Sequence, residues 1–262
     1  MKSRILSAIV MLAIICPVIY LGDKYFSLVI TLISMLAYKE LLNLKSNKDK
    51  IPVLMQIVGF VEVCTLVLCD HFYSFEMGLN YKVLIGIIML DLLPMLAYKK
   101  ENYNSRDAFY LIGITLLIGL VFNCFILVRA FGMYKFIYLL LITVLTDTFA
   151  MLIGLLCGKH KLCPTISPKK SWEGSIGGSI IATIAASVFY HYLVNPFTYK
   201  VAIVTLVLSI IGQLGDLVFS RIKRDNDTKD YSNLIPGHGG ILDRLDSIIF
   251  VILAYVLLHS FI

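Results

Sequence analysis

The chain has 262 residues, of which 59% are hydrophobic and only 15% are charged. A soluble globular domain is about half apolar and about one quarter charged, so this composition excludes a water-soluble fold. The apolar content also excludes disorder, and the lack of heptads and of paired cysteine spacings excludes a coiled coil and a disulfide-stapled domain. The formal net charge of +6 lies in loops between apolar runs, which indicates membrane topology and not nucleic-acid binding.

Nine apolar runs, separated by charged or turn-forming residues, predict nine membrane-spanning helices, because a helix needs about 20 apolar residues to cross the hydrocarbon core. The second and fourth runs are short, so a count of eight or ten stays open. We therefore predict an all-α polytopic membrane protein. The predicted spans are 5–22, 26–41, 51–69, 82–98, 109–130, 134–156, 175–194, 200–220 and 241–261.

The positions of lysine and arginine predict the orientation of these spans across the membrane. With the N-terminus in the cytoplasm, 18 of the 23 basic residues fall in cytoplasmic segments, which is the positive-inside pattern. The bias predicts a C-terminus outside and a location in the cell membrane. The first run resembles a signal peptide, but it is long for one and further spans follow at once, so we predict an uncleaved first helix.

The two halves of the chain differ in polar content. Residues 1–133 contain predicted helices 1–5 with few polar anchors, and we expect a scaffold that offers a lipid or dimer surface. Residues 134–262 contain helices 6–9, two cytoplasmic loops and nearly all the clustered glycines and carboxylates, so we predict the catalytic part there. Glu62 and Asp91 lie in apolar runs of the first half, and their interpretation stays open between a structural contact and a function.

Carboxylates inside the membrane are costly and rarely idle. Asp147 lies in the sixth span and Asp216 in the eighth, with Ser220 four residues later on the same helix face. Asp243 and Asp246 share a face at the start of the ninth span. Carboxylates from two helices near the membrane surface suit Mg²⁺, which binds a few carboxylates together with phosphate oxygens. The alternative is that Asp243 and Asp246 only cap their helix.

The segment between these helices is rich in phosphate-binding groups. Lys223, Arg224 and Lys229 provide cationic donors. Residues 236–240, Pro-Gly-His-Gly-Gly, directly precede a helix start, and we call them the glycine loop. Backbone N–H groups at a helix start bind anions, and glycine lets the backbone approach a phosphate closely. A basic loop that only follows the positive-inside bias explains the lysines but neither the glycine loop nor the flanking carboxylates.

A second loop on the predicted cytoplasmic side covers residues 158–174. Its Lys159, Lys169 and Lys170 suit a triphosphate, and Glu173 suits a role in orienting a lysine or binding a ligand hydroxyl. Small residues at every fourth position of the sixth and seventh helices predict close helix packing. These small residues are Ala150, Gly154 and Gly158 in the sixth helix, and Gly174, Gly178, Ala182 and Ala186 in the seventh.

Taken together, these residues resemble the signature of the phosphatidate cytidylyltransferases, also called CDP-diacylglycerol synthases. The resemblance covers residues 220–246 and extends to Gly215-Asp216-Leu217, to Ser167-Pro-Lys-Lys-Ser-Trp-Glu-Gly174 and to Asp147-Thr148. The N-terminal half is similar by hydropathy alone. Ser171 stands where the family usually has threonine, and Met151 stands where an aromatic residue is common. Neither departure removes a charged group.

The resemblance implies a membrane-embedded, Mg²⁺-dependent nucleotidyltransferase that faces the cytoplasm. It would join CTP and phosphatidic acid to give CDP-diacylglycerol and pyrophosphate in phospholipid synthesis. A second cation and a homodimer stay open. The implied metal ligands are Asp216, Asp243 and Asp246. The implied catalytic set adds Lys223, Arg224, Lys229, Asp230 and His238 to these. The implied nucleotide-binding and substrate-binding set is Asp147, Lys159, Ser167, Lys169, Glu173, Ser220, Gly239, Gly240 and Arg244.

Four other functions are alternatives to this one. A CTP-dependent polyprenol kinase, or a synthase that uses an archaeal ether lipid, would have similar phosphate-binding groups. A transporter of an anionic substrate predicts binding residues near the bilayer midplane, whereas the candidates here lie near one surface. A CDP-alcohol phosphotransferase requires a DG…AR…G…D…D pattern, which the sequence lacks.

Overall fold

The structure is a computed structural model that describes residues 2–46, 51–72 and 81–262. Nine α-helices lie within these ranges, together with a hairpin of two short strands between the sixth and seventh helices. The helices are α1 (Lys2–Leu21), α2 (Asp23–Ser46), α3 (Val53–Phe72), α4 (Tyr81–Leu92), α5 (Ser105–Ala130), α6 (Met133–Cys157), α7 (Trp172–Leu193), α8 (Tyr199–Asp225) and α9 (Leu242–Leu258). The strands are β1 (Lys161–Cys163) and β2 (Ser167–Ser171), and hydropathy did not predict them.

Six of the described helices, α2 and α5 to α9, are long and apolar enough to cross a bilayer. The chain is therefore a multi-pass membrane protein built almost entirely of helices. Within the described ranges, the apolar stretch of α3 is shorter and covers Val53–Cys69. The count of nine crossings and the orientation of the termini stay predictions.

Helical structure covers most of the predicted span 82–98, but its geometry changes within the span. Within the described residues α4 runs from Tyr81 to Leu92, and a 3₁₀ turn, Leu93–Leu96, follows. Pro94 explains the break, because proline lacks the N–H that would continue the helix and disfavours helical geometry in the residue before it.

The chain divides into two compact units. The first contains residues 1–127 together with 231–241, and the second contains residues 128–230 together with 242–262. The chain thus leaves the second unit after α8 and enters it again at the start of α9. The functional division predicted at residue 133 stays a prediction.

Small residues hold α6 and α7 together in the second unit. A Cβ atom added to Gly178 would lie 2.6 Å from the backbone nitrogen of Ala150, and one added to Gly174 would meet the carbonyl oxygen of Ala150. The prediction of close packing between these helices is confirmed. Such contact lets dispersion and hydrogen bonding act between helices where lipid provides no hydrophobic driving force.

Buried hydroxyl groups add hydrogen bonds between the helices of the second unit. The hydroxyl groups of Tyr138 and Thr205 lie 2.6 Å apart, and those of Thr146 and Ser209 lie 2.7 Å apart, which joins α6 to α8. Ser209 also donates to the hydroxyl of Ser179 in α7 at 3.1 Å. These bonds hold three helices in one register, because a misplaced helix would leave polar groups unpaired in an apolar interior.

The first unit contains more polar contacts than its sequence indicates. Lys45 and Asp107 form an ion pair of 2.6 Å with both side chains largely buried. The hydroxyl of Tyr110 donates to the carbonyl of Leu41 at 2.6 Å. Glu62 and Asp91 are 4% and 0% exposed, and within the described residues their carboxylate oxygens have no hydrogen-bond partner. Both acids therefore lie in the interior of the first unit.

Candidate active site

Four aspartates and two lysines from four elements come together in the second unit. The carboxylates of Asp147, Asp216 and Asp246 interact electrostatically with one another, although they come from α6, α8 and α9. The ammonium group of Lys170 interacts electrostatically with Asp147, and that of Lys223 interacts with Asp246, so two positive charges lie beside these carboxylates. We call these side chains and Asp243 the aspartate–lysine cluster: Asp147, Lys170, Asp216, Lys223, Asp243 and Asp246.

The most buried contact of the cluster joins α8 to α9. The Nζ atom of Lys223 donates to Oδ1 of Asp243 at 2.7 Å, and the two side chains are 10% and 3% exposed. Lys223 lies in the last turn of α8 and Asp243 in the first turn of α9. Each charge complements the dipole of its own helix. The structure therefore places Lys223, a predicted catalytic residue, in direct contact with Asp243, a predicted metal ligand.

Asp216 makes a more open contact. Its Oδ2 atom lies 2.5 Å from Nζ of Lys170, and the two side chains are about one quarter exposed. Ser220, one turn later, donates to Oδ1 of Asp216 at 3.1 Å. The predicted shared face of Asp216 and Ser220 is confirmed. Lys170 comes from β2, so the hairpin supplies the counter-charge for the helix.

The other two aspartates lie at the edges of the cluster. Asp147 is exposed, and with Thr146 and Ser247 it lines a small cleft between α6, α8 and α9. Asp246 is half-buried, and its Oδ1 atom accepts a hydrogen bond from the backbone N–H of Ser247 at 2.8 Å. Both carboxyl groups therefore lie beside Asp216 and remain at least partly accessible.

The cluster does not form a closed metal centre. Within the part of the chain that the structure describes, no group of three or more His, Cys, Asp or Glu side chains has the arrangement of one. Asp216 and Asp243 each bind a lysine instead. The magnesium site through Asp216, Asp243 and Asp246 stays a prediction.

The predicted nucleotide loop after α6 folds into the hairpin. The strands β1 and β2 are antiparallel, with Lys161 opposite Ser171 and Cys163 opposite Ser167. Ser171 then caps α7, because its Oγ atom accepts the N–H of Gly174 at 3.2 Å. Lys169, on β2, is exposed.

Glu173 forms hydrogen bonds with the first residues of this loop. Its carboxylate accepts the backbone N–H groups of Lys159 and His160 at 3.2 Å, and one of its oxygens lies 2.6 Å from Nδ1 of His160. The side chain thus holds the backbone that carries Lys159. The contact is to the backbone of Lys159 and not to its ammonium group, so a role for Glu173 in orienting a lysine or binding a ligand hydroxyl stays a prediction.

The glycine loop belongs to the first unit, unlike the aspartate–lysine cluster. Gly237 and Gly239 have φ angles of 78° and 82°, a left-handed conformation that favours glycine. The N–H of Ile235 donates to the carbonyl of Gly239, and the N–H of His238 donates to the carbonyl of Ile235, both at 2.9 Å. The loop is therefore a tight turn with a fixed internal shape, and His238 is half-buried within it.

The remaining predicted site residues lie on the surface. Arg224 donates to the carbonyl of Thr228 at 3.0 Å, which closes the end of α8. Predicted site residues with exposed side chains are Lys159, Lys169, Arg224, Lys229, Asp230 and Arg244.

The sequence did not predict the contacts of two polar residues. Lys170 forms an ion pair with Asp216, whereas the sequence predicted for it a contact to a triphosphate. Glu40 in α2 is 4% exposed and accepts hydrogen bonds from Ser232 and Ile241 at 2.6 and 2.8 Å. Nothing in the local pattern indicates Glu40, because its partners lie 192 and 201 residues further along the chain.

Known proteins match the chain over almost its whole length. A model described as the cytidylyltransferase family matches residues 2–262. A phosphatidate cytidylyltransferase of Staphylococcus haemolyticus (strain JCSC1435) is 37% identical over 253 residues, which are 96% of each chain. A protein of the same name from Bacillus subtilis (strain 168) is 34% identical over 267 residues, covering all of this chain and 98% of the relative.

Proposed function

The chain belongs to the cytidylyltransferase family, and from this premise we propose that it is a phosphatidate cytidylyltransferase. It would transfer the CMP group of CTP to phosphatidic acid and release pyrophosphate. The observation that carries the proposal is the aspartate–lysine cluster, built from the residues that resemble the family signature. Apolar helices on the same chain suit a lipid substrate whose acyl chains remain in the bilayer.

The donor set of the cluster fits a divalent cation. Within these six side chains, four carboxyl groups outnumber two ammonium groups, so oxygen ligands are in excess. Mg²⁺ prefers a few carboxylates combined with phosphate oxygens. We infer that Asp216, Asp243 and Asp246 hold the ion. When bound, it would neutralise charge on the phosphates of CTP.

The reaction requires neutralisation of phosphate charge and correct positioning of the two substrates more than it requires a strong general base. The phosphate of phosphatidic acid is already an anionic oxygen nucleophile. Its oxygen forms a bond to the α-phosphorus of CTP, while the bond from that phosphorus to the bridging oxygen breaks, and pyrophosphate leaves with the electron pair. Lys170 and Lys223 hold positive charge in the cluster, and exposed Arg224 and Lys229 lie on the segment that follows. Such fixed cations stabilise the charge that develops on the leaving group.

The substrates also suit the predicted orientation. The basic bias puts the hairpin and the end of α8 on the cytoplasmic side, where CTP is present. Phosphatidic acid would present its head group at the same surface. We therefore propose a cell-membrane enzyme whose site opens to the cytoplasm.

The test uses the purified full chain in detergent with phosphatidic acid and CTP labelled at the α-phosphate. With Mg²⁺ we expect labelled CDP-diacylglycerol and unlabelled pyrophosphate. With EDTA we expect neither product. Asp216→Asn should lower kcat/KM by about 10²–10³, the scale of a lost preorganised electrostatic group. The matched control is Asp225→Asn on the same helix, where the exposed carboxylate pairs with Arg221 at 2.8 Å. This control should keep wild-type activity.

Two outcomes would contradict the proposal in different ways. Release of CDP with the γ-phosphate on a lipid alcohol would identify a CTP-dependent kinase. Full activity of the Asp216→Asn variant would exclude the aspartate–lysine cluster as the site, even if CDP-diacylglycerol forms.

A further inference from the structure

We propose that Glu40 is a positioning residue that fixes the glycine loop in the shape needed to bind CTP. This inference rests on the proposed function and adds a residue of α2 to its nucleotide-binding parts. Glu40 and the loop belong to the same compact unit. Three observations carry the inference: two hydrogen bonds, the burial of the carboxylate, and the space that Gly240 leaves for it.

One carboxylate oxygen of Glu40 joins the two ends of the loop segment. Ser232 Oγ donates to Oε1 of Glu40 at 2.6 Å, and the backbone N–H of Ile241 donates to the same atom at 2.8 Å. These donors stand on either side of the glycine loop. Because one oxygen atom accepts hydrogen bonds from residues on both sides of the glycine loop, the two ends are held close together. This limits the conformations that the loop can adopt.

The contact with Glu40 acts on a different part of the loop segment from the internal backbone pairing. The backbone pairing of Ile235 with Gly239 sets the tight turn. Glu40 acts outside that turn, at residues 232 and 241. Because Glu40 is only 4% exposed, its hydrogen bonds compete little with water, which strengthens each bond.

Gly240 matches the Glu40 carboxylate in shape. A Cβ atom at Gly240 would lie 2.7 Å from Cδ and 2.8 Å from Oε2 of Glu40. Gly240 has no left-handed φ angle, unlike Gly237 and Gly239, so backbone conformation does not require glycine at this position. A side chain at this position would instead displace the Glu40 carboxylate from its hydrogen bonds. Glu40 and Gly240 therefore form a complementary pair.

The hydrogen bond between Ile241 and Glu40 indicates that Glu40 positions the loop and does not itself bind the nucleotide. The N–H of Ile241 is held by a carboxylate, and a negative side chain repels a triphosphate. Glu40 therefore acts on CTP through the loop and not by touching it. Its loss should weaken the binding of CTP and leave the binding of phosphatidic acid unchanged.

The experiment measures KM for each substrate, kcat and the melting temperature of variants of the full chain. Glu40→Ala should raise KM for CTP about tenfold, the effect of losing one charge-assisted hydrogen bond, with KM for phosphatidic acid unchanged. Glu40→Gln keeps an oxygen acceptor and should stay within about threefold of wild type. The control is Asp107→Asn, which removes the buried partner of Lys45 in the same unit. It should leave KM for CTP unchanged even where it lowers the melting temperature.

Gly240→Ala gives a test that a general loss of stability would not imitate. In the wild-type background it should lower kcat/KM for CTP about tenfold, because overpacking against Glu40 displaces the loop. In the Glu40→Ala background it should cause no further loss, because the clashing carboxylate is absent. If Glu40→Ala does not fold, Ser232→Ala removes the hydrogen bond from the Ser232 hydroxyl to Glu40 and should raise KM for CTP about threefold.

The outcomes separate this inference from the proposed function. Absence of pyrophosphate release by the wild-type chain would refute the proposed function itself. An active wild type with an unchanged KM for CTP in Glu40→Ala would refute only the role of Glu40. Fully additive effects of Gly240→Ala and Glu40→Ala would also refute it, because independent effects exclude a shared contact.

Discussion

Replacing Asp243 by Asn removes the negative charge from the most buried ion pair of the aspartate–lysine cluster. Its partner Lys223 lies 2.7 Å away, and the two side chains are only 3% and 10% exposed. The variant removes the carboxylate that accepts the hydrogen bond of a buried ammonium group, which costs about 3–5 kcal/mol of folding free energy. For a chain of this size, that loss lowers the melting temperature by about 10 °C.

Asp216→Asn provides the comparison for this prediction. Its pair with Lys170 is about one quarter exposed on each side, so solvent screening limits the contribution of the pair to about 0–1 kcal/mol. The melting temperature in detergent should therefore fall by only a few degrees. Both variants should lose activity, but only Asp243→Asn should also lose substantial stability.

A double variant tests the cause of the effect. Lys223→Met with Asp243→Leu removes both charges and should recover most of the melting temperature, because apolar side chains can replace a buried ion pair at little cost. It should not recover activity. Equal melting temperatures for Asp243→Asn and Asp216→Asn, or no recovery in the double variant, would refute the reasoning from burial.

Three further predictions follow from contacts elsewhere in the chain. Glu173→Ala removes the carboxylate that holds the backbone at His160, so KM for CTP should rise about tenfold, and an unchanged KM would exclude this role. Glu62→Gln replaces a buried acid by a neutral isostere and should keep or raise the melting temperature, as thermal unfolding can check. Gly178→Ala should lower the melting temperature by several degrees, because its Cβ would lie 2.6 Å from the backbone nitrogen of Ala150 and overpacking costs about 1–3 kcal/mol; an unchanged value would contradict that packing.

Hydropathy alone predicted the helical part of the fold well. The sixth span was predicted at 134–156, and α6 covers Met133–Cys157. Such agreement has a physical cause, since a membrane helix satisfies its backbone within the segment and needs no distant partner. The signal for each helix is therefore local. The fourth span shows the limit of hydropathy, because Pro94 ends α4 although the apolar run continues.

Contacts between distant residues could not be predicted in this way. The sequence indicated Asp216 and Asp243 as important, because carboxylates are rare inside apolar runs. It did not indicate that Lys170 pairs with Asp216, since the hairpin that carries this lysine has no hydropathy signal. Glu40 was missed for a similar reason: it lies near the end of an apolar run, and its partners Ser232 and Ile241 are remote in the chain.

The small residues of α6 also bear on the charges of the cluster. Gly154 and Gly158 lie beside Ser171, whose Oγ atom would be 3.1 and 2.7 Å from Cβ atoms added to these glycines. Ser171 ends β2 and directly follows Lys170. We expect a larger residue at either position to displace Ser171 and, with it, the adjacent Lys170. The ion pair between Lys170 and Asp216 would then weaken, so the packing of these uncharged glycines should affect the electrostatics of the cluster.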